Sequence, residues 1–138
     1  MVILAIDLGV ARTGLAISDP TECLASPIET IAERNREKLS DTIVKIAKER
    51  QVELFVLGLP KNMDGTLGES ATRAKEFGEL LEQKTGLSVV LWDERLTTVS
   101  AAGYLNETNT RGKKRKAVID TVSAVIILQN YLDSRKKP

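Results

Sequence analysis

Before any stretch of helical periodicity the chain presents three extended segments in succession, and this order limits its fold more than any other feature. Residues 2 to 6 form a short apolar run that stops at Asp7, as suits a buried strand. Gly9 and Gly14 bracket a turn, and Leu15, Ala16 and Ile17 supply the returning strand of a hairpin. A third extended piece runs from 24 to 31 around Pro27. A Rossmann start would place a helix directly after the first strand, so this order argues against one.

Helical and extended segments alternate from there on. Between about 34 and 51, Leu39, Ile43, Ile46 and Ala47 fall at helical spacing among charged residues. Leu54, Phe55, Val56 and Leu57 read as a strand buried on both faces and ended by Gly58, with a turn-rich loop from 59 to 68. Ala74, Phe77 and Leu81 mark one face of a second helix, stopped by Gly86. Val89 to Trp92 is a second buried strand, running into Asp93 and Glu94. Thr97 or Thr98 can cap a short third helix. A basic loop follows, then a last helix from about 116 to 134 with Val118, Val122, Val125, Ile126 and Leu132 among its apolar positions. An antiparallel meander followed by parallel strands with crossover helices predicts an α/β fold: a mixed five-stranded sheet covered on its faces. With 138 residues and no linker or repeat, 1–138 is expected to be a single domain.

Composition enters mainly through what it removes. The chain has no histidine, which excludes Ser-His-Asp, Cys-His and HExxH chemistry together. The one cysteine, Cys23, excludes an internal disulfide and a thiolate-rich zinc site, and suits a reducing cytoplasm. The first residues lack the basic stretch of a signal peptide, and no apolar run approaches the length of a membrane span. Any acid or base must therefore be a carboxylate, a lysine or a water on a metal.

Three carboxylates stand where such chemistry could gather. Asp7 closes the first strand, Glu94 closes the last, and Asp120 lies near the start of the last helix. Sites in open α/β sheets form outside the carboxyl ends of parallel strands, so Asp7 and Glu94 would meet there if their strands are adjacent and parallel. A helix packed over that edge could add Asp120. Three anions at one point repel unless cations lie between them, and Mg²⁺ or Mn²⁺ supplies that compensation through oxygen ligands. Two such ions about 3.5–4 Å apart clamp the attacking and leaving oxygens of a phosphodiester. The plainer alternatives are an Asp7 that only braces the Gly9 turn and an Asp120 that only favours a helix's opening turns. Glu94 also competes with Asp93, which faces the other way.

Cations lie close by in sequence. Arg111, Lys113, Lys114, Arg115 and Lys116 precede Asp120, which makes a phosphate-binding arm a better account than a merely solvated loop. If all five met phosphates, log K would fall against log salt with a slope of roughly −4. Lys61 and Asn62, in the loop after Pro60, could touch phosphate or sugar, although an exposed polar loop explains them too. Aromatic residues make up only 4% of the chain, and Phe55 and Phe77 read as core, so binding should follow backbone and shape rather than base sequence.

Four stretches in register carry a family resemblance. They are Ala5-Ile6-Asp7-Leu8-Gly9 with Arg12-Thr13-Gly14-Leu15-Ala16-Ile17-Ser18-Asp19; Gly58-Leu59-Pro60-Lys61-Asn62-Met63-Asp64-Gly65; Asp93-Glu94-Arg95-Leu96-Thr97-Thr98; and Lys114-Arg115-Lys116 through Asp120 to Leu128-Gln129-Asn130-Tyr131-Leu132. Together they resemble the YqgF (RuvX) family over essentially the whole chain. The resemblance implies an RNase H-like fold and a cytoplasmic, metal-dependent nuclease that trims the 5′ end of precursor 16S ribosomal RNA during ribosome biogenesis. By position it assigns Asp7, Glu94 and Asp120 as catalytic carboxylates and metal ligands, with Arg95 and Lys61 in support. RNase H-like sites often have a fourth carboxylate one helical turn beyond the last; Ser123 stands there, which implies a weaker hold on the second of two ions. The alternatives are a Holliday-junction resolvase acting on branched DNA, for which a homodimer is expected, and a non-catalytic RNA-binding assembly factor. An actin-type ATPase would need a second Asp-x-Gly hairpin, and the sequence has none.

Overall fold

The computed structural model describes residues 1–59, 68–93 and 112–136. Its elements are β1 (Ile3–Asp7), β2 (Thr13–Ser18), β3 (Ala25–Ile31), α1 (Arg36–Glu49), β4 (Leu54–Leu59), α2 (Glu69–Thr85), β5 (Val89–Asp93) and α3 (Gly112–Lys136). The strands form one five-stranded sheet in the order β3-β2-β1-β4-β5. β1–β2 and β2–β3 are antiparallel, whereas β1–β4 and β4–β5 are parallel. The mixed sheet expected from the sequence is therefore the one observed.

The pleat divides the core into two layers. Leu4, Ile6, Leu15, Phe55 and Leu57 face α1 and α2, where Leu39, Ile43, Phe77 and Leu81 meet them. Ile3, Ala5, Ala16, Leu54 and Val56 face α3, against Ala124, Ile127, Leu128 and Leu132. β4 thus contributes to both layers, as its unbroken apolar run requires. α1 starts where Asn35 accepts a hydrogen bond from the Lys38 amide at 3.0 Å, and Leu39, Ile43 and Ala47 recur on its buried face. α2 stops at Gly86, whose φ of 74° few other residues would adopt. Within α2, a Cβ at Gly78 would lie 3.2 Å from Val89 Cγ1, so the missing side chain lets the helix close onto β5.

Several expectations need correction. β4 does not end at Gly58 but pairs onward through Leu59, with Gly58 opposite Trp92. β5 is not a buried strand: it lies at the sheet edge, Leu91 is exposed, and Val89, Val90 and Trp92 are half-buried. α3 begins at Gly112, so Lys113 to Lys116 belong to its first turns and not to a loop. Lysine and arginine are good helix formers, and a run of charge is no barrier to a helix already anchored further along. Its buried stripe is Ala124, Ile127, Leu128, Tyr131 and Leu132, while Val122, Val125 and Ile126 are half-buried. The segment from 122 to 128 is apolar almost all round, so only packing on the sheet selects the stripe. The short helix expected near Thr97 and Thr98 falls outside the described residues.

At the start of β1 the Ile3 amide donates to Ser18 Oγ at 2.8 Å, and both groups are buried. Ser18→Ala leaves that amide without its acceptor, at a cost of about 1–3 kcal/mol. Urea denaturation should show a lower midpoint with an unchanged slope.

Candidate active site

The carboxyl ends of the parallel strands meet at one sheet edge, and Asp7 stands there as the last residue of β1. It is half-buried. Because Ile3 and Ala5 pack on the α3 side, the pleat assigns Asp7 to that side as well. Its direct cross-strand neighbour on β2 is Gly14. On the other flank, one step past the Ile6–Leu57 pair, stands Gly58 of β4. Both neighbouring strands therefore present glycine at the positions beside Asp7. These two glycines escaped the sequence reading as site residues, because their role depends on register.

The strand neighbours differ from the simplest expectation. β1 and β5 are parallel but not adjacent, since β4 runs between them. Two strand spacings make about 10 Å between their backbones. The residue of β4 on that line is Gly58, opposite Trp92, and Val90 and Trp92 pack on the α3 side. Trp92 is held against Tyr131 of α3 edge to face, with ring centres 5.5 Å apart at 86°.

α3 is fixed at the opposite edge. Gln129 donates to the Cys23 carbonyl at 3.1 Å and accepts from the Ala25 amide at 3.0 Å, while Arg135 pairs with Glu22 at 2.9 Å. Towards its N-terminus the helix leaves that edge, rising about 14 Å between residues 129 and 120. Position 120 precedes the buried Ala124 by four residues, one helical turn along the same stripe. Ser123, three past it, is half-buried.

A tight turn shapes the segment that follows Asp7. A Cβ at Gly9 would collide with the Arg12 carbonyl oxygen, so this position takes glycine. Arg36, in the first turn of α1, donates from one guanidinium nitrogen to the Gly9 carbonyl at 3.0 Å and so ties α1 to the turn. Burial, and secondly the neighbouring Arg73, lower the Arg36 pKa from its usual value. Thr13, at the foot of the hairpin, is fully buried, and among the described residues its hydroxyl has no hydrogen-bond partner.

Of the residues singled out from sequence as catalytic, Asp7 lies among the described residues with its side chain. Glu94, Arg95, Lys61, Asn62 and Arg111 lie outside the described residues. Lys113, Lys114, Arg115, Lys116 and Asp120 have their backbone in α3, with side chains outside that description. Among the described residues no group of three His, Cys, Asp or Glu side chains could hold a metal ion. The donor chemistry that remains at the edge is nonetheless oxygen: the chain has no histidine, and Cys23 lies at the opposite edge beside Ala25. Oxygen ligands suit Mg²⁺ or Mn²⁺.

A mixed sheet in this strand order, with helices on both faces and an aspartate ending the first strand, is the RNase H-like fold. A family model described as "RuvX: Holliday junction resolvase" matches residues 1–134, and the chain belongs to that family. A protein of Lachnospira eligens named "Putative pre-16S rRNA nuclease" is 46% identical over 140 residues, covering 99% of this chain and all of the relative. One of the same name from Listeria monocytogenes is 47% identical over 136 residues, covering 97% and 99%. Among solved structures, Thermus thermophilus RuvC in complex with a Holliday junction substrate aligns with a TM-score of 0.64 at 13% identity, over 98% of this chain and 95% of that one. At that identity the likeness is one of fold.

Gly9→Ala sets a side chain against backbone that cannot yield easily, and should destabilise the chain by about 1–3 kcal/mol. Thermal and urea unfolding of the purified variant check this; an unchanged midpoint would contradict the close approach to Arg12.

Proposed function

We propose that the chain is a divalent-metal-dependent nuclease that hydrolyses phosphodiester bonds in the 5′ region of precursor 16S ribosomal RNA in the cytoplasm. The observation that carries this reading is Asp7 at the carboxyl edge of the parallel strands, flanked by Gly14 and Gly58, in a member of a nucleic-acid-cleaving family. The substrate rests on the names of the full-length relatives. Asp7, Glu94 and Asp120 are the carboxylates proposed to hold the metal. Mg²⁺ or Mn²⁺ bound there supplies polarisation of the phosphodiester and activation of the attacking water.

The chain's own residues do the positioning. Asp7 receives its place from the β1–β4 pairing, and Arg36 fixes the turn behind it. The first turn of α3 contains no acidic residue, so Lys113, Lys114, Arg115 and Lys116 add to the positive end of the helix dipole. With Arg111, they are the proposed arm for backbone phosphates. Lys61, Asn62 and Arg95 are proposed as further contacts to the strand. Ser123 in place of a carboxylate implies that the second of two ions is held less tightly. Among the described residues no helix is long and apolar enough to cross a membrane.

Branched DNA is the second reading, favoured by the family description. It would require two copies of the chain acting together. End-labelled precursor RNA and a four-way DNA junction, each incubated with Mg²⁺ or Mn²⁺, separate the two.

Asp7→Asn and Glu94→Gln are each expected to cut at least about 10³-fold more slowly, a loss of several kcal/mol of charge stabilisation, while keeping the native circular dichroism spectrum. Chelation by EDTA should stop the wild type. Cleavage that persists in Asp7→Asn or EDTA would sink the metal-carboxylate mechanism; binding without any cleavage would favour an assembly factor. Replacing Arg111, Lys113 and Lys114 together by alanine should weaken binding to all single strands alike. The salt slope should become shallower by about 2, at roughly 0.7 per lost contact.

A further inference from the structure

Val90 and Trp92 of β5 pack against the α3 layer, and Trp92 stands in the same cross-strand row as Asp7. Across β1, β4 and β5 that row reads Asp7, Gly58, Trp92. All three positions belong to the α3 side of the sheet, and Gly58 brings no side chain of its own between the other two.

Trp92 is half-buried, and among the described residues its buried indole N–H has no hydrogen-bond partner. Such a donor usually finds an acceptor and helps to fix the ring. Here the ring depends on packing, and its defined contact is Tyr131, edge to face at 5.5 Å. Tyr131 is itself held. Its hydroxyl accepts from Arg135 at 3.0 Å, and the Arg135 guanidinium lies 5.5 Å from its ring centre. Arg135 in turn pairs with Glu22, between β2 and β3, at 2.9 Å. A relay of side chains thus crosses the α3 face from the β3 side to β5, four strand spacings or about 19 Å apart.

This relay ends beside the proposed metal site. β5 lies at the sheet edge, and its ladder to β4 stops at the Leu59–Asp93 pair. The end of an edge strand opens more easily than a strand inside the sheet, so a ladder on one side constrains it weakly. Glu94 follows Trp92 by two residues. Carboxylates that share an ion must be held to within about 0.5 Å of the productive geometry, which asks for more than that ladder.

We propose that Trp92 is a positioning residue of the metal site: seated on Tyr131, it fixes the end of β5, the strand that leads to Glu94, relative to Asp7. The proposal rests on the reading of Asp7 and Glu94 as ligands of one ion, and adds to it the residue that sets their spacing. Trp92 acts through the backbone of β5.

The test measures Mn²⁺ binding to the full chain by the paramagnetic resonance of the free ion, beside urea denaturation of each variant. Trp92→Leu, which removes the ring, should weaken Mn²⁺ binding by about tenfold, the scale at which groups behind a metal's ligands act. Trp92→Phe keeps a ring against Tyr131 and should recover most of that loss. Tyr131→Leu removes the seat from the other side; it should match Trp92→Leu, and it decides the matter if Trp92→Leu does not fold. Val90→Ala loses apolar contact in the same layer but outside the Asp7 row, and is the control. It should lower the urea midpoint without changing Mn²⁺ affinity.

Wild-type Mn²⁺ affinity in Trp92→Leu or in Tyr131→Leu would overturn the proposal. So would a loss in Val90→Ala as large as that in Trp92→Leu, because binding would then follow stability and not the Tyr131 contact. A Trp92→Phe variant that recovers nothing counts against it equally. Asp7→Asn separates the proposal from the reading beneath it. If the wild type binds Mn²⁺ and Asp7→Asn does not, an unchanged Trp92→Leu defeats the positioning role alone. If Asp7→Asn binds as the wild type does, or the wild type binds none, the metal-site reading falls and the proposal with it.

Discussion

The parallel pairing of β4 with both β1 and β5 sets the arrangement of everything else in the molecule. β4 is apolar along its length and buried on both faces, so its backbone polar groups must be satisfied by ladders on either side. Parallel neighbours need crossover connections, and α1 and α2 provide them. β3 leads through α1 to β4, and β4 leads through α2 to β5, moving in the same direction across the sheet. Right-handed crossovers in one direction put both helices on one face. The other face needs a cover, and α3 is the element that supplies it. The same pairing brings three strand ends to a single edge, which is where Asp7 stands.

What distinguishes that edge is the provision made around one carboxylate. Gly14 and Gly58 flank Asp7 where most strands would carry side chains, and Gly9 allows the chain to turn sharply behind it. Glycine weakens a strand, so its use on both neighbours has a local cost. Arg36 offsets part of this by bonding the turn to the first helix. The carboxylate is thus placed by rigid elements, with glycine on both neighbouring strands, which suits the metal-binding role proposed for it.

How much of this could be read in the sequence depended on whether a feature is local. The 54–57 run, the stop at Gly86 and the helical spacing of Leu39, Ile43 and Ala47 are local, and each appears where expected. The beginning of α3 and its buried stripe were hidden, because a run of cations suggested a loop and the segment from 122 to 128 has too little polar residue to show a face. β5 looked buried because its composition is apolar, whereas its exposure follows from its place at the edge. Asp7 was legible as the carboxylate that ends an apolar run. Gly58 as the residue between β1 and β5 was not, since a sequence does not state strand order. Arg36 gave no signal at all: alone it looks like part of a solvated face, and its bond to the Gly9 carbonyl joins segments 27 residues apart.

The balance of charge explains why such a chain need not be strongly basic to hold an anionic polymer. It has 20 basic and 19 acidic residues, so a uniform field would attract nothing. Local placement replaces net charge. Glu22 neutralises Arg135 and the N-terminal amine at the edge away from Asp7, and Lys84 is shared by Glu37 and Asp41 between α1 and α2. The run Lys113 to Lys116 stands apart from those pairs in sequence, in the first turns of α3. If Asp7, Glu94 and Asp120 gather as proposed, they would repel a phosphate backbone in the absence of metal, and strand binding and metal binding would be coupled through the same field. Because few aromatic side chains are present to stack on bases, that field acts on the backbone alone. In the proposed reading, selectivity then comes from the shape of the strand that can lie across the Asp7 edge.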